Sequence, residues 1–185
     1  STVSHELRTP LTSIAGALGL INGGALGEVP AAISAMLAIA EQNSQRLSLL
    51  INDLLDMDKL IAGKMNFDLQ VQPLLPLLQE ALHSNQGYAE QYQVSYQLLP
   101  FADANLTVDG LRLQQVLANF LSNACKFSPP GSCITLCAEH LEGQLRVSVR
   151  DQGSGVPAAF QARIFQKFSQ ADASSTRQQG GTGLG

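Results

Sequence analysis

The chain has 185 residues, of which 45% are hydrophobic and 14% charged, and its formal net charge is −4. This length allows one large domain or two small ones, and the acidic balance argues against a nucleic-acid partner. No apolar run approaches the roughly 20 residues of a membrane span, no signal peptide is visible, and the three cysteines fit neither a disulfide framework nor a metal site.

The first third of the sequence is helical, with one glycine-rich break at residues 22–30. Apolar positions recur every three or four residues in the first helix, at Leu7, Leu11, Ile14, Leu18 and Ile21. The second helix carries a longer stripe, formed by Ile33, Met36, Ala40, Leu47, Leu50, Leu54, Met57 and Ile61 and widened by Leu37 and Ile51, with Asn43 as a polar interruption. A two-helix hairpin cannot cover such a stripe by itself, so the pattern predicts a homodimeric four-helix bundle.

Strand-like and helix-like stretches alternate after about residue 65. The patterns predict strands at 65–71, 92–99, 132–140 and 144–151 and helices at 74–90 and 109–127. Gly63 and Pro73 mark the change in pattern. We therefore predict an α+β chain of two domains, residues 1–64 and residues 65–185.

His5 stands in the first helix, away from the apolar stripe. At about 100° per residue, it projects about 160° from the stripe, and Thr9 falls on the same outward face. An exposed imidazole beside the carboxylate of Glu6 is a candidate nucleophile or base, because its ordinary pKa leaves it largely neutral at pH 7. A lone exposed histidine is more often an ordinary solvated residue, and the helix by itself leaves both interpretations open.

The helix predicted at 109–127 has an apolar and a polar face. The apolar stripe consists of Leu113, Val116, Leu117, Phe120, Leu121 and Ala124. The polar side chains of Arg112, Asn119, Asn123 and Lys126 fall within about 60° of one another. Amide oxygens suit a hard cation and a lysine suits phosphate, although a solvated polar face explains the pattern equally well.

The last predicted strand ends in a carboxylate. By alternation, Asp151 shares a face with three apolar residues, which predicts a buried carboxylate that needs a partner such as a base amino group. Gly153 and Gly155 follow at once and would let the backbone approach that ligand. The glycines at 180–185 offer free backbone N–H groups of the kind that hold phosphates, or a flexible linker.

Five stretches together resemble the sensor histidine kinases of two-component signalling, in the order that defines the family. SHELRTPLT resembles the phosphoacceptor box, LQQVLANFLSNACKFS the asparagine box, DQGSGVP the first glycine box, RIFQKFSQAD the phenylalanine box and GGTGLG the second glycine box. The sequence FSQADASSTRQQGGTGLG, which spans the end of the phenylalanine box and the second glycine box, is most similar to hybrid kinases.

The resemblance implies a role for each matching residue. His5 would be phosphorylated by ATP, Glu6 would orient its ring, and Thr9 would position water for dephosphorylation of the partner. The implied nucleotide-binding residues are Asn119, Asn123, Lys126, Asp151, Gly153, Gly155, Arg163, Gly181, Thr182, Gly183 and Gly185, and Asn123 would also hold Mg²⁺.

The resemblance also implies an architecture and partners. Residues 1–64 would be the dimerisation and phosphotransfer hairpin, and residues 65–185 an α/β sandwich ATP-binding domain that is incomplete at its C-terminus. The expected partners are a second copy, a response regulator receiver domain and an upstream sensor domain, with the fragment cytoplasmic and membrane anchoring of the parent left open. The alternatives are a catalytically silent docking module and a plain ATPase of the same superfamily.

Overall fold

The protein divides into two compact units, with the boundary between Met65 and Asn66. The structure is a computed structural model that describes residues 2–162 and 164, with side chains from residue 9 onward.

The first unit is a helical hairpin. Helix α1 is Thr2–Asn22 and helix α2 is Ala31–Ile61, and the two pack against each other. Gly24 and Gly27 in the connection have φ values of +73° and +102°, a region that residues with a side chain rarely adopt. Pro30 precedes the first turn of α2, where its missing N–H costs no hydrogen bond. The predicted hairpin is therefore confirmed.

Only part of the predicted apolar stripe of α2 is covered within this hairpin. Leu37 and Ile51 are half-buried, whereas Met36 and Leu47 are 74% and 47% exposed. Leu55 is buried, although it was not assigned to the stripe. A helix packed against one neighbour can bury only one side, and this stripe is wider than that side. The remaining apolar surface of α2 faces outward in the single chain.

The second unit contains five strands and four helices among its described residues. These are β1 (Gln70–Pro73), α3 (Leu74–Ser84), α4 (Gln86–Tyr92), β2 (Ser95–Leu98), β3 (Asn105–Val108), α5 (Gly110–Phe127), β4 (Cys133–Leu141), β5 (Gln144–Arg150) and α6 (Ala158–Gln161). Strands β1 and β3 form an antiparallel pair. Strands β2, β4 and β5 form a mixed sheet in that order, with β2 parallel and β5 antiparallel to the central β4.

The core of this unit lies between the mixed sheet and helices α3 and α5. Its buried members are Leu74, Leu78, Ala81, Leu117, Leu121, Ala124, Cys125, Ile134, Leu136 and Ala138. Burial alternates along β4, where Ile134 and Leu136 are fully buried and Thr135 between them is not. One face of the sheet therefore meets the helices, and the predicted helical hairpin followed by an α/β layer structure is confirmed.

Three predicted elements of this unit need correction. The strand predicted at 65–71 begins only at Gln70, and the four-residue strand β3 was not predicted. The helix predicted at 74–90 is two helices that meet at Asn85, whose φ of −102° and ψ of 7° are not helical. The side-chain amide and the backbone N–H of Asn85 both donate to the Ala81 carbonyl, at 2.7 and 3.2 Å. The strand predicted at 92–99 is confirmed only over Ser95–Leu98.

Candidate functional site

The predicted phosphoacceptor box lies in α1. Helix α1 continues through Pro10 without a break, so Thr9 stands one turn after His5. Thr9 is exposed, and its carbonyl accepts a hydrogen bond from Ser13 Oγ at 3.1 Å. The side chains of His5 and Glu6 lie outside the described residues, so the outward direction of His5 stays a prediction.

Helix α5 carries the predicted asparagine box and begins at a buried carboxylate. Asp109 accepts the backbone N–H of Arg112 at Oδ1 (3.1 Å) and that of Asp68 at Oδ2 (3.0 Å). These two backbone donors, with that of Arg112 the stronger influence, hold the pKa of Asp109 below its usual range. Sequence reasoning did not include Asp109 in the site, although an aspartate directly before a helical pattern is a known start signal.

The two faces of α5 separate as the pattern predicts, with two exceptions. Leu117, Leu121 and Ala124 are buried against the core, while Asn119 and Asn123 are exposed. Val116 and Phe120, which were assigned to the apolar stripe, are 48% and 56% exposed. They lie at the edge of the buried arc and do not pack into the core. They border the exposed face that carries Asn119 and Asn123, called here the asparagine face.

The last turn of α5 combines a cation with an aromatic ring. Lys126 Nζ lies 5.1 Å from the centroid of the Phe127 ring, within the range of a cation–π contact. Phe127 is 53% exposed, which is unusual for so large an apolar side chain. Sequence reasoning omitted Phe127 from the site, because the predicted apolar stripe of the helix extended only to Ala124 and assigned no face to Phe127.

The carboxylate at the end of β5 is exposed in the described structure. Leu145, Val147 and Val149 pack against the core, which confirms the predicted inward face of the strand. Asp151 is exposed, so the prediction of a buried carboxylate is wrong for the described residues. The strand ends at Arg150, and the alternation that would have turned Asp151 inward ends with it. Asp151 Oδ1 instead accepts the Gly153 N–H at 2.7 Å.

The loop after β5 lies against the C-terminal end of α5. A Cβ on Gly153 would stand 2.7 Å from the Phe127 carbonyl oxygen and 2.9 Å from Asp151 Oδ1, so only glycine fits there without a shift. The Gln152 N–H points to Ser128 Oγ at 3.4 Å. The structure therefore brings the Asp151 loop beside Phe127, next to Lys126 in sequence and about one helical turn beyond Asn123.

Gly155 has a φ of +74°, the left-handed region that favours glycine. The first glycine box therefore uses its two glycines for different reasons. Gly153 needs the absence of a side chain for close approach, and Gly155 needs the freedom of its backbone.

A polar contact fixes the buried side of α5 behind the asparagine face. The Tyr96 hydroxyl donates to the Asn85 carbonyl at 3.2 Å, so its oxygen is left to accept from the Cys125 thiol at 3.0 Å. Burial raises the pKa of both the Tyr96 hydroxyl and the Cys125 thiol, and the thiol beside it raises that of Tyr96 further. All three cysteines are free, and Cys125 is fully buried.

The remaining predicted site residues, Arg163, Gly181, Thr182, Gly183 and Gly185, lie outside the described residues. Across the residues that are described, there is no group of three or more His, Cys, Asp or Glu side chains that could hold a metal ion by themselves. Over the same stretch, none of the helices combines the length and the apolar character of a membrane span.

Two protein-family models match the chain. The His Kinase A (phospho-acceptor) domain matches residues 1–63, and the histidine kinase-, DNA gyrase B- and HSP90-like ATPase matches residues 108–185. The first match contains α1 and α2, and the second runs from the end of β3 through α5 and the Asp151 loop.

Curated relatives align over the whole chain. It is 35% identical over 191 residues to the signal transduction histidine-protein kinase BarA of Escherichia coli (strain K12), covering 100% of this chain and 20% of that protein. It is 38% identical over 193 residues to the sensor protein GacS of Pseudomonas syringae pv. syringae, covering 100% of this chain and 21% of that protein. The chain thus spans only about a fifth of the length of these relatives.

A solved structure has a similar fold. Full-length ShkA in complex with AMPPNP superposes with a TM-score of 0.76 and 30% sequence identity, covering 99% of this chain and 37% of that chain.

Proposed function

The chain belongs to the sensor histidine kinases of two-component signalling, and we propose that it supplies the ATP-dependent autophosphorylation of its parent protein on His5. In this proposal residues 1–64 form the phosphotransfer and dimerisation hairpin, and residues 65–185 form the catalytic part that binds ATP. The phosphoryl group then passes to an aspartate of a response regulator receiver domain.

One observation carries the proposal: a phosphoacceptor domain and an ATPase domain of the histidine kinase type stand in tandem in one chain. A plain ATPase would have no use for the phosphoacceptor helix. A docking module does not require helix α5 with its exposed asparagines, or the loop that contains Gly153 and Gly155.

The exposed face of α5 supports the nucleotide assignment. Asn119 and Asn123 present amide groups, and Lys126 adds a positive charge near the loop that carries Asp151. We propose that Asp151 accepts the adenine amino hydrogen, since its Oδ2 is not engaged by the Gly153 N–H that Oδ1 receives. The AMPPNP complex of ShkA, a structural relative, agrees with ATP as the nucleotide.

The second glycine box belongs to the same proposal, on resemblance alone. Gly153 and Gly155 would bring backbone N–H groups close to the nucleotide. Gly181, Thr182, Gly183 and Gly185 would close over the phosphates, and Arg163 would contact the γ-phosphate.

The donor set near α5 also fits Mg²⁺. This ion usually keeps several waters and takes only one or two protein ligands together with substrate phosphates. A single exposed amide oxygen, that of Asn123, is therefore sufficient, and a cluster of carboxylates is not needed. Bound there, Mg²⁺ would neutralise charge on the phosphates.

The transfer step needs an unprotonated ring nitrogen on His5. That nitrogen forms a bond to the γ-phosphorus while the bond to the bridging oxygen breaks, and ADP leaves with the electron pair. Glu6 would accept a hydrogen bond from the other ring nitrogen, which keeps the attacking nitrogen free and balances the charge that develops on the ring.

The outward apolar surface of α2 supports a homodimer. Ile33, Met36 and Ile39 are each at least half exposed in the single chain. Burying such side chains contributes roughly 25 cal/mol per Å² of apolar area, so pairing two hairpins is favourable. We also propose a cytoplasmic location, because ATP is an intracellular substrate, and a sensor domain upstream in the parent protein.

Thr9 gives the hairpin a second proposed activity. It is exposed one turn after His5, where its hydroxyl could position water for the hydrolysis of the regulator's phosphoaspartate. The proposed enzyme is then bifunctional, a kinase and a phosphatase.

The parent protein incubated with γ-labelled ATP and Mg²⁺ tests the assignment of His5. We expect label that is stable to alkali and labile to acid, lost in His5→Ala and retained in His83→Ala. His83 is a matched control, because it is an exposed histidine in the last turn of another helix, α3.

Label that persists in His5→Ala would remove His5 from the proposal. A parent protein that binds ATP and hydrolyses it without any phosphohistidine would instead favour the plain ATPase.

A further inference from the structure

Asp109 connects two segments that lie far apart in sequence. Its carboxylate is buried, with 9% of the residue exposed, and each oxygen has a different partner. Oδ1 accepts the N–H of Arg112 in the first turn of α5, and Oδ2 accepts the N–H of Asp68, 41 residues earlier.

The β1–β3 ladder explains why Asp68 meets the start of α5. Gln70 pairs with Val108 in an antiparallel register, so the chain two residues before Gln70 lies opposite the residues that follow Val108. Gln72 strengthens the same junction: its side-chain amide donates to the Val108 carbonyl at 3.2 Å, and its Oε1 lies 3.0 Å from where a Cβ on Gly110 would stand. The first turn of α5 is therefore held closely from the β1 side.

Asp68 is the third residue after the boundary between the two units. The segment that contacts Asp109 is thus the one that leaves α2 and enters the second unit. A helix transmits a displacement of its first turn to its later turns, because its backbone hydrogen bonds make it stiff. In α5 those later turns carry Asn119 and Asn123.

We propose that Asp109 is a positioning residue that couples the linker after α2 to the orientation of the asparagine face of α5. Oδ1 caps the first turn of α5 through the Arg112 N–H, and Oδ2 ties that turn to the linker through the Asp68 N–H. The inference rests on the proposed function, since it concerns the placement of the nucleotide for transfer to the hairpin. It predicts that loss of the Asp68 bond slows phosphoryl transfer more than it weakens nucleotide binding.

Asp109→Asn separates the two contacts. Asparagine caps a helix as well as aspartate does, but its one oxygen cannot serve both N–H groups, and its amide would meet the Asp68 N–H donor to donor. Asp109→Ala removes both contacts. Asp103→Ala is the matched control, because Asp103 Oδ1 also accepts two backbone N–H groups: that of Leu75 in the first turn of a different helix, α3, and that of the neighbouring residue Ala104.

The measurements use the full-length parent protein: the affinity for a fluorescent ATP analogue, the autophosphorylation rate at saturating ATP, and hydrogen–deuterium exchange. For Asp109→Asn we expect an affinity within twofold of wild type and a rate about fivefold lower, the usual effect of one hydrogen bond. Exchange at residues 66–69 should be about fivefold faster, and exchange at 110–116 unchanged. Asp103→Ala should leave the rate at saturating ATP unchanged.

A full autophosphorylation rate in Asp109→Asn together with faster exchange at 66–69 would overturn the positioning role, because the bond would then be structural only. A slow rate with unchanged exchange there would also overturn it, because the effect would bypass the bond. If the wild-type parent gives no phosphohistidine, the proposed function fails and the positioning role with it, while the exchange rates alone still decide whether the bond to Asp68 exists.

Discussion

Replacing Gly153 with alanine tests the contact between the first glycine box and α5. The added Cβ would lie 2.7 Å from the Phe127 carbonyl oxygen, where 3.4 Å is the lower end of ordinary contact, so the loop or the end of the helix must move by about 0.7 Å. The carbonyl belongs to a helical backbone and cannot rotate away as a side chain would.

Overpacking of this kind typically costs about 1–3 kcal/mol. If this cost destabilises the nucleotide-bound state by about 1 kcal/mol more than the free state, the affinity for ATP decreases about fivefold. We expect Gly153→Ala to bind a fluorescent ATP analogue at least fivefold more weakly and to unfold at a lower urea concentration than wild type.

Gly143→Ala is the control for general destabilisation. Gly143 has a φ of +69° and open space where a Cβ would stand, so alanine there meets backbone strain of about 1–2 kcal/mol and no clash. It lies at the turn between β4 and β5, the opposite end of β5 from Gly153. Gly143→Ala should lower stability without changing nucleotide affinity. Wild-type affinity in Gly153→Ala would refute the close approach.

Three further predictions concern the core, the pH dependence and the hairpin. Leu121→Ala removes a fully buried side chain and should lower the free energy of unfolding by about 2–5 kcal/mol in urea titrations. The depressed pKa of Asp109 means that its stabilising contribution is present above the unfolded-state pKa of about 3.9 and is lost as pH falls through the lower folded-state value. Melting temperatures measured downward from pH 5 should therefore fall more steeply in wild type than in Asp109→Asn. Thr9→Ala should keep autophosphorylation and lose most phosphatase activity toward the phosphorylated regulator.

Each of these has an outcome that would contradict it. A Leu121→Ala protein as stable as wild type would place Leu121 outside the core. Parallel acid profiles would mean that Asp109 does not ionise differently on folding. A Thr9→Ala protein with an undiminished phosphatase rate would remove that role from Thr9.

The helical hairpin and helix α5 could be predicted from sequence because their signals are local. The apolar repeat of α2 and the aspartate before α5 are read within a few turns, and the observed bounds lie within a few residues of the predicted ones. The family resemblance also depends on short motifs in order, and the matches to both domain models confirm it.

Shorter elements were less predictable because the local signal was weak or divided. Strand β3 has only four residues, too few for a periodic pattern to stand out. The break at Asn85 accompanies a side-chain hydrogen bond back to the Ala81 carbonyl, and the sequence is equally compatible with an Asn85 side chain that points to solvent.

The amino-acid sequence by itself determined the elements, their faces and the motifs, because periodicity, capping and residue type act over neighbouring positions. Only the tertiary structure decided which of those surfaces meet. It exposed Asp151 where alternation predicted burial, set Gly153 against the Phe127 carbonyl, and gave the Asp109 carboxylate a partner 41 residues away in Asp68. Such contacts depend on strand register and on layer packing, which bring together residues that share no local pattern.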